Sequence, residues 1–447
     1  MPAGTGKTVV GLHRAAYLAQ QGHGRVLFVT FVRNLATVQC NLLRRLAPEA
    51  SRRVDFRTVH AIAVRLLARH GPAPRVDPTA IRACYDRAWL TVGRQELRPV
   101  DPRPGYWREE VEYVIKGRGI TTLPEYLAAD RYGRRTPLRQ EQRTAVWHYY
   151  REYEDLRRDR GLIDFADLLQ LALRSAQSAP LTDPYAAVII DEVQDLSLTG
   201  LRLLHALVGD RPNGLLLIGD VRQAVYPGGY RLADAGLQIR GGRSVVLKVN
   251  YRNSRAVLAA ARRLLDGDVH DDIDGTALTD GDLVEPTRGE GEVIEVAVSS
   301  AGELDAALLA GVAAYGDLPA TAVLCADNRS VEHYETLLRR AGLAVTNLDR
   351  YDGTPTTAIK VGTFAKGKGL EFTRVFLPGY DRTLRGARTG GLADPDRIRH
   401  ATNELYVAMI RARDTLWLGR VTGEPKSPQL AMPKTASSNK SPYSLRP

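Results

Sequence analysis

The chain opens with MPAGTGKTVV (residues 1–10), in which Gly6, Lys7 and Thr8 fit the end of the phosphate-loop pattern G-x-x-x-x-G-K-[ST]. Met1 stands where the first glycine of that pattern would be. Glycines are needed because backbone N–H groups must close around phosphate oxygens with no Cβ in the way. Residues 8–20 have helical spacing, so a helix N-terminus is predicted to point at the phosphates. The predicted phosphate-contacting residues are Gly4, Thr5, Gly6, Lys7 and Thr8.

A second stretch, VIIDEVQD (188–195), is an apolar run that ends in carboxylates. Ligands of open α/β sheets lie at the C-terminal ends of the strands, which is where Asp191 and Glu192 are predicted to be. Asp191, together with the Thr8 hydroxyl, is predicted to hold Mg²⁺, and Glu192 to polarise an attacking water as a general base. The alternative is a solvated acidic loop, which the phosphate-loop pattern in the same chain disfavours.

Composition and charge indicate a multi-domain globular protein with a polyanionic partner. The 447 residues are 44% hydrophobic and 25% charged, with a net charge of +11. Such a balance favours nucleic acid, although a generic basic protein or an arginine-rich composition would give the same value. The cysteines (Cys40, Cys84, Cys325) lack metal-binding spacing and suit a reducing cytoplasm, and no apolar run reaches the ~18 residues of a membrane span.

Apolar β-rich runs separated by helical stretches predict an α/β fold with parallel sheets. The runs at 25–31, 186–195, 214–220 and 244–253 predict one unit, and the pattern restarts near 290 for a second. Between them, 72–163 is rich in Arg and aromatic residues and reads as a helical insertion. The predicted boundaries are 1–71 with 164–240, 72–163, 241–422, and a disordered Pro/Ser/Lys-rich tail at 423–447.

Further candidate residues follow predicted strands. Gln223 could sense a γ-phosphate, and Arg252 and Arg411 could stabilise charge on a transferred phosphoryl group. Tyr226 and Tyr230 could stack on bases or belong to the core, and the glycines and lysines of GTFAKGKGLEF (362–372) suit phosphate-backbone contact. Each of these, read singly, is also compatible with an ordinary surface residue.

In this order the motifs resemble those of UvrD/Rep-type superfamily 1 helicases, from residue 1 to about 420. AGTGKT resembles motif I, VTFVRN (29–34) motif Ia, FRTVHAIA (56–63) motif Ib and DEVQD motif II. GDVRQAVY resembles motif III, NYRNS (250–254) motif IV, GTFAKGKGLEF motif V and YVAMIRARD (406–414) motif VI. GLIDFADLL (161–169), ahead of motif II, also matches the family's pattern.

The resemblance implies two RecA-like P-loop domains that bind ATP and Mg²⁺ between them, with a helical insertion of the 1B type. It implies that Tyr251 stacks on adenine, that Glu371 contacts the ribose, and that Arg252 and Arg411 contact the γ-phosphate. Single-stranded DNA would cross both domains, and stepping would run 3′ to 5′. The predicted DNA contacts are Phe31, Arg33, Thr58, His60, Tyr226, Tyr230, Thr363, Lys366 and Lys368.

The sequence also departs from the family pattern. Ala365 replaces the usual histidine of motif V, and Ile410 replaces the threonine of motif VI. The large 2B subdomain is predicted to have shrunk to about residues 349–360. The strand ahead of the phosphate loop, which is central in RecA-like sheets, is expected to be missing and to leave two exposed edges. We therefore expect an N-terminally shortened helicase, through a misassigned start or a truncated gene.

The leading functional hypothesis is an ATP-dependent DNA helicase or translocase of repair or recombination. The first alternative is a degenerate, catalytically impaired protein that binds DNA or a partner without turnover. A second is the motor subunit of a nuclease complex, which would need a partner because no nuclease cluster follows motif VI. A third is a UvrD-like ATPase that remodels RNA polymerase.

Overall fold

The structure is a computed structural model that describes residues 4–22, 24–72, 74–179, 181, 183–220, 223, 229–237, 244–265, 270–271, 277–278, 285–315, 320–388 and 394–422. The helices in chain order are α1 (Lys7–Gln20), α2 (Arg33–Leu46), α3 (Pro48–Ser51), α4 (Val59–Leu67), α5 (Pro78–Ala88), α6 (Arg94–Leu97), α7 (Pro104–Glu109), α8 (Leu123–Ala128), α9 (Gln140–Asp159), α10 (Phe165–Ser178), α11 (Leu198–Ala206), α12 (Arg255–Arg262), α13 (Ala301–Ala313), α14 (Asn328–Arg340), α15 (Phe364–Gly367), α16 (Arg382–Ala387) and α17 (Asp394–Met409). The strands are β1 (Val26–Thr30), β2 (Val54–Thr58), β3 (Ala187–Ile190), β4 (Leu215–Leu217), β5 (Val249–Asn250), β6 (His270–Asp271), β7 (Ala277–Leu278), β8 (Glu285–Pro286), β9 (Glu292–Val298), β10 (Thr321–Cys325), β11 (Val345–Asn347), β12 (Ile359–Thr363), β13 (Phe372–Pro378) and β14 (Ala412–Val421).

The first sheet carries the phosphate loop and is parallel throughout its described strands, in the order β2-β1-β3-β4. β1 and β3 are buried at every position, which explains their unbroken apolar sequences. Helices cover both faces, with α1 against one apolar cluster and α4, α10 and α11 against the other. The α/β fold class predicted from the sequence is therefore confirmed.

The expectation that a missing strand leaves two exposed edges stays a prediction. β1 pairs directly with β3, with Val26 opposite Ala187, and β3 pairs with β4, so no gap interrupts the described strands. The sheet ends at β2 and β4, and β4 is half-buried along its length.

The segment between β2 and β3 forms a helical unit that has its own aromatic core. Tyr85 and Tyr153 stack with ring centroids 3.6 Å apart, and Trp107 is fully buried beside them. A buried ammonium joins this unit to the start of α10. Lys116 Nζ lies 2.6 Å from Glu154 Oε1, 2.6 Å from Asp164 Oδ2 and 2.9 Å from Asp167 Oδ1. The helical character predicted for 72–163 agrees with these elements, and the boundaries themselves stay a prediction.

The second sheet has the order β11-β12-β10-β13-β14-β9, and every described pairing in it is parallel. β10 is fully buried and forms its centre with β13. The strand predicted at 244–253 is different, because only Val249–Asn250 is extended and it pairs with β8 outside this sheet. The parallel restart predicted near residue 290 is present as β9 to β14.

The helical unit also contacts the second sheet domain, through the first turn of α17. Asp396 is buried and accepts hydrogen bonds from Tyr106 Oη at 2.8 Å and from the backbone N–H groups of Arg135 and Thr136. The neighbouring Arg397 guanidinium pairs with the buried Asp101 carboxylate. We call this contact the α17 joint. Its position matters because α17 leads directly into the segment that holds Arg411.

Among the described residues, no helix combines the length and the apolar character needed to cross a membrane. The three cysteines, all of them described, are free.

Candidate nucleotide site and nucleic-acid interface

The loop before α1 has a backbone that only glycine adopts readily. Gly4 has φ +72° and Gly6 has φ +81°, both in the left-handed region. A Cβ on Gly4 would lie 2.5 Å from Asn250 Oδ1, so a side chain at this position would collide with the Asn250 side chain. The backbone N–H of Tyr251 also donates to Gly4 O at 2.9 Å. The loop is therefore packed closely against the motif IV region.

The predicted metal pair is in contact. Thr8 Oγ1 donates a hydrogen bond to Asp191 Oδ2 over 2.8 Å, which joins the start of α1 to the end of β3. A hydroxyl and a carboxylate are the oxygen ligands that Mg²⁺ prefers, so these two side chains fit the ion. Lys7 Nζ lies 3.6 Å from Asp220 Oδ2, which places a carboxylate from the end of β4 beside the predicted phosphate-binding ammonium.

The two carboxylates of the DEVQD stretch have different environments. Burial, together with the neighbouring Glu192 charge, raises the pKa of Asp191 to about 7. Burial also acts to raise the pKa of Glu192, but Lys368, Lys7 and Arg411 outweigh it and hold that pKa below its usual value. Glu192 therefore stays ionised, which a general base requires.

Glu192 has a strained backbone. Its φ of +56° lies in the left-handed region, which is uncommon for a residue with a Cβ. Its side chain accepts a hydrogen bond from Gln194 Nε2, whose own Oε1 accepts from the Asp220 N–H at 3.0 Å. Such strain is found where surrounding contacts fix a side chain, and here they fix the carboxylate at the end of β3.

Two side chains from opposite sheets meet at Gln223. Arg411 is fully buried and its Nη2 donates to Gln223 Oε1 at 2.8 Å, while Gln223 Nε2 donates to Asp220 Oδ2 at 2.6 Å. Burial, together with the nearby Arg252 charge, lowers the pKa of Arg411 to about 9, so the guanidinium remains charged at neutral pH. The second sheet domain thus supplies the Arg411 cation, which contacts Gln223, the residue of the first domain that is predicted to sense the γ-phosphate.

The other predicted nucleotide residues of the second domain are paired with one another. Arg252 Nε donates to Glu371 Oε2 at 2.7 Å, and Arg413 Nη1 lies 4.0 Å from Glu371 Oε1. Burial acts to raise the pKa of Glu371, but Arg252 and Arg413 hold it below the usual value. Tyr251 is 61% exposed, which leaves its ring available for stacking.

Three predicted DNA contacts cluster at the ends of β1 and β2. The half-buried rings of Phe31 and His60 lie 6.5 Å apart, and Thr58 caps α4 through its side chain. Burial lowers the pKa of His60 to about 4, so this ring is neutral at pH 7. Arg33, the first residue of α2, follows Phe31 closely in the sequence and is exposed. Binding of DNA by these side chains stays a prediction.

Two other predicted DNA contacts need correction. Lys368 is buried, and its Nζ donates to Asp195 Oδ1 at 2.8 Å and to the carbonyl of Gln223. Tyr230 is also buried, with its hydroxyl on Val193 O at 3.0 Å, so its ring has no face for a base. Their local sequences gave no sign of these contacts, because Asp195 and Val193 lie in the distant DEVQD segment.

The remaining predicted DNA contacts are Thr363, Lys366 and Tyr226. Thr363 caps α15 through its hydroxyl, and Lys366 pairs with Asp349 at 2.5 Å while remaining partly exposed. Tyr226 lies outside the described residues.

Three residues of the site were missed by sequence reasoning. Phe165, the first residue of α10, is 48% exposed, and its ring centroid lies 5.0 Å from that of His60. Asp220 contacts both Lys7 and Gln223. Gln39, from α2, is fully buried and contacts Asp191. The usable signals were an acidic residue at a strand end, an aromatic residue at a helix start, and a polar residue within an apolar helical stripe.

A phosphate loop in one parallel-sheet domain and arginines from another define a P-loop nucleotide-binding protein with a composite site. The chain belongs to the UvrD/REP helicase family, whose N-terminal domain model matches residues 2–239. It is 26% identical over 285 residues to the ATP-dependent DNA helicase PcrA of Leuconostoc citreum, covering 59% of this chain and 36% of that protein.

Two further relatives extend this comparison. The ATP-dependent DNA helicase UvrD2 of Mycobacterium bovis is 29% identical over 293 residues, covering 59% of this chain and 40% of that protein. One subunit of the ATP-dependent helicase/nuclease of Pelotomaculum thermopropionicum is 28% identical over 172 residues, covering 33% of this chain and 13% of that protein. The chain therefore spans less than half the length of each of these relatives.

Proposed function

We propose that this chain is an ATP-dependent motor that moves along single-stranded DNA 3′ to 5′ and separates duplexes in DNA repair or recombination. The observation that carries the proposal is the contact between Arg411 of the second domain and Gln223 of the first, 2.8 Å long. A site completed by two domains changes when the domains move. Hydrolysis can therefore be coupled to relative motion of the two domains.

The contacts support a proposed role for each residue. Thr8 and Asp191 would hold Mg²⁺, which supplies charge neutralisation at the phosphates when bound. Lys7 would exchange Asp220 for a phosphate, and Glu192, kept ionised by its cationic neighbours, would accept the proton of the attacking water. Arg411 and Arg252 would stabilise charge on the transferred group.

Adenine and DNA would bind to exposed rings. Tyr251 would stack on adenine, and Glu371 would contact the ribose once Arg252 turns to the phosphate. Phe31, His60 and Phe165 form an aromatic surface beside the exposed Arg33, which suits stacking of successive bases and contact with the backbone. The net charge of +11 favours the same polyanionic partner.

The test is ATP hydrolysis by the 447-residue chain with and without single-stranded DNA. We expect DNA to stimulate hydrolysis and Lys7→Ala to abolish it. A chain that is folded by circular dichroism yet hydrolyses no ATP in either condition would refute the motor and leave the degenerate, DNA-binding alternative. Polarity would follow from displacement of streptavidin from the 3′ or the 5′ end of an oligonucleotide.

A second candidate is the motor component of a helicase–nuclease assembly. The similarity to one component of an ATP-dependent helicase/nuclease favours it. Such an assembly predicts that the chain alone degrades no DNA and co-purifies with a nuclease partner, which pull-down from its native source would detect.

A further inference from the structure

Helix α2 carries one polar residue in the stripe that faces the core. Leu35, Gln39 and Leu43 are spaced one helical turn apart and all three are buried, Leu35 in an apolar cluster with the second domain and Leu43 in a cluster of the first. The Gln39 side chain is fully buried, although an amide placed among apolar residues is unfavourable unless it forms hydrogen bonds. We therefore expect the Gln39 amide to form hydrogen bonds within the protein.

The amide nitrogen of Gln39 has a partner in the candidate metal site. Nε2 donates to Asp191 Oδ2 at 2.8 Å, the same oxygen that accepts from Thr8 Oγ1 at 2.8 Å. Asp191 Oδ1 accepts from the Glu192 backbone N–H at 3.1 Å. Gln39 thus helps to fix the direction in which the Asp191 carboxylate points.

The amide oxygen of Gln39 has no hydrogen-bond partner among the described residues. Oε1 is buried and unpaired although it belongs to the same amide group as the bonded Nε2. Unpaired buried acceptors are rare in folded proteins, and an acceptor of this kind can bind the hydrogen of a water. Mg²⁺ normally keeps several of its waters when it binds to one or two protein oxygens and a phosphate.

Helix α2 also forms hydrogen bonds to the second domain. Asn34 Nδ2 donates to Leu348 O at 2.9 Å, and Asn41 Nδ2 donates to Asp352 O at 2.9 Å. These asparagines share one face because about two helical turns separate them, and Gln39 lies on roughly the opposite face. The helix that carries Gln39 therefore spans from the metal carboxylate to the boundary between the domains.

We propose that Gln39 is a positioning residue for the magnesium–nucleotide complex, and this inference rests on the function proposed above. Its Nε2 orients Asp191, and its Oε1 accepts a hydrogen bond from a water of the bound cation. Because α2 also contacts the second domain, a movement of that domain relative to the first would shift the position of Gln39.

The test measures binding of a fluorescent ADP derivative while Mg²⁺ is titrated, so it needs no turnover. In Gln39→Met, the Mg²⁺ concentration at half-saturation should rise about tenfold or more, as expected for loss of a hydrogen bond to a charged group. Binding of the derivative in the presence of a chelator should stay unchanged. The exposed Thr37→Ala on the same helix is the matched control and should leave both values unchanged.

The outcomes separate this inference from the proposed function. A wild-type chain that binds the derivative without any response to Mg²⁺ would overturn both. A wild-type chain that responds, with an unaltered Mg²⁺ midpoint in folded Gln39→Met, would overturn the positioning role alone. An equal loss of affinity with and without Mg²⁺ would also overturn it, because that result indicates a structural role. If Gln39→Met does not fold, Gln39→Leu provides the same comparison.

Discussion

The α17 joint predicts a measurable coupling between the helical unit and the second sheet domain. Tyr106 donates to the buried Asp396 carboxylate at 2.8 Å, and hydrogen bonds to charged groups contribute about 1.5–3 kcal/mol. We therefore expect a double-mutant cycle of Tyr106→Phe and Asp396→Ala to give a coupling energy of about 1.5–3 kcal/mol. Asp396→Ala alone should cost about 3–5 kcal/mol, because it also leaves the backbone N–H groups of Arg135 and Thr136 unpaired.

Tryptophan fluorescence during urea denaturation is a suitable assay. Three of the tryptophans, Trp89, Trp107 and Trp147, lie in the core of the helical unit, so the signal reports mainly on that unit. Arg151→Ala is the matched control, since its i,i+4 pair with Asp155 is exposed and should contribute less than about 0.5 kcal/mol. A coupling energy below about 0.5 kcal/mol, with all four proteins folded, would refute the joint.

Four further predictions concern the site and the buried ammonium. Glu192→Gln should lower kcat by about 10²–10⁴ while leaving ATP binding intact, and stopped-flow hydrolysis with a nucleotide-binding titration would check it. Arg411→Ala should lower kcat by about 10³–10⁵, and an unchanged kcat in the same assay would contradict its role at the phosphate. Phe165→Ala should weaken single-stranded DNA binding by about 1–3 kcal/mol in fluorescence anisotropy, whereas equal affinity would remove it from the interface. Lys116→Met should destabilise the fold by about 3–5 kcal/mol in urea because it removes the cation paired with the buried Asp164 carboxylate, whereas Arg158→Ala, which removes an exposed partner of Glu154, should cost under about 1 kcal/mol.

Features that depend on local sequence were predictable. The unbroken apolar runs at Val26–Thr30 and Ala187–Ile190 predicted buried parallel strands, because both faces of such strands are covered by helices. The contact of Thr8 with Asp191 followed from two motifs whose chemistry requires them to meet. Thr8 and Asp191 are 183 residues apart, but each lies in a short motif that can be recognised from its own neighbouring residues.

Features that depend on distant partners were not predictable. Lys368 reads as a surface lysine in a glycine-rich turn, yet it pairs with Asp195, which lies 173 residues away in the sequence. Gln39 lies in an apolar helical stripe, which indicates burial, but its partner Asp191 is 152 residues away in the sequence. Val245 and Val246 follow a strand-like pattern but are exposed in the structure. In each case tertiary contacts decide the environment, and the local pattern does not encode them.

The cations of the nucleotide site already have internal partners, Asp220 for Lys7 and Glu371 for Arg252. A ligand must therefore displace a resident carboxylate from each cation, and its entry is an exchange of anions. A small anion such as inorganic phosphate or chloride reaches one cation at a time and replaces a single ion pair. A nucleoside triphosphate can satisfy both cations together while its base meets Tyr251. If the proposed function holds, the resting ion pairs would select against short anions, and they would re-form once the phosphate chain has been shortened.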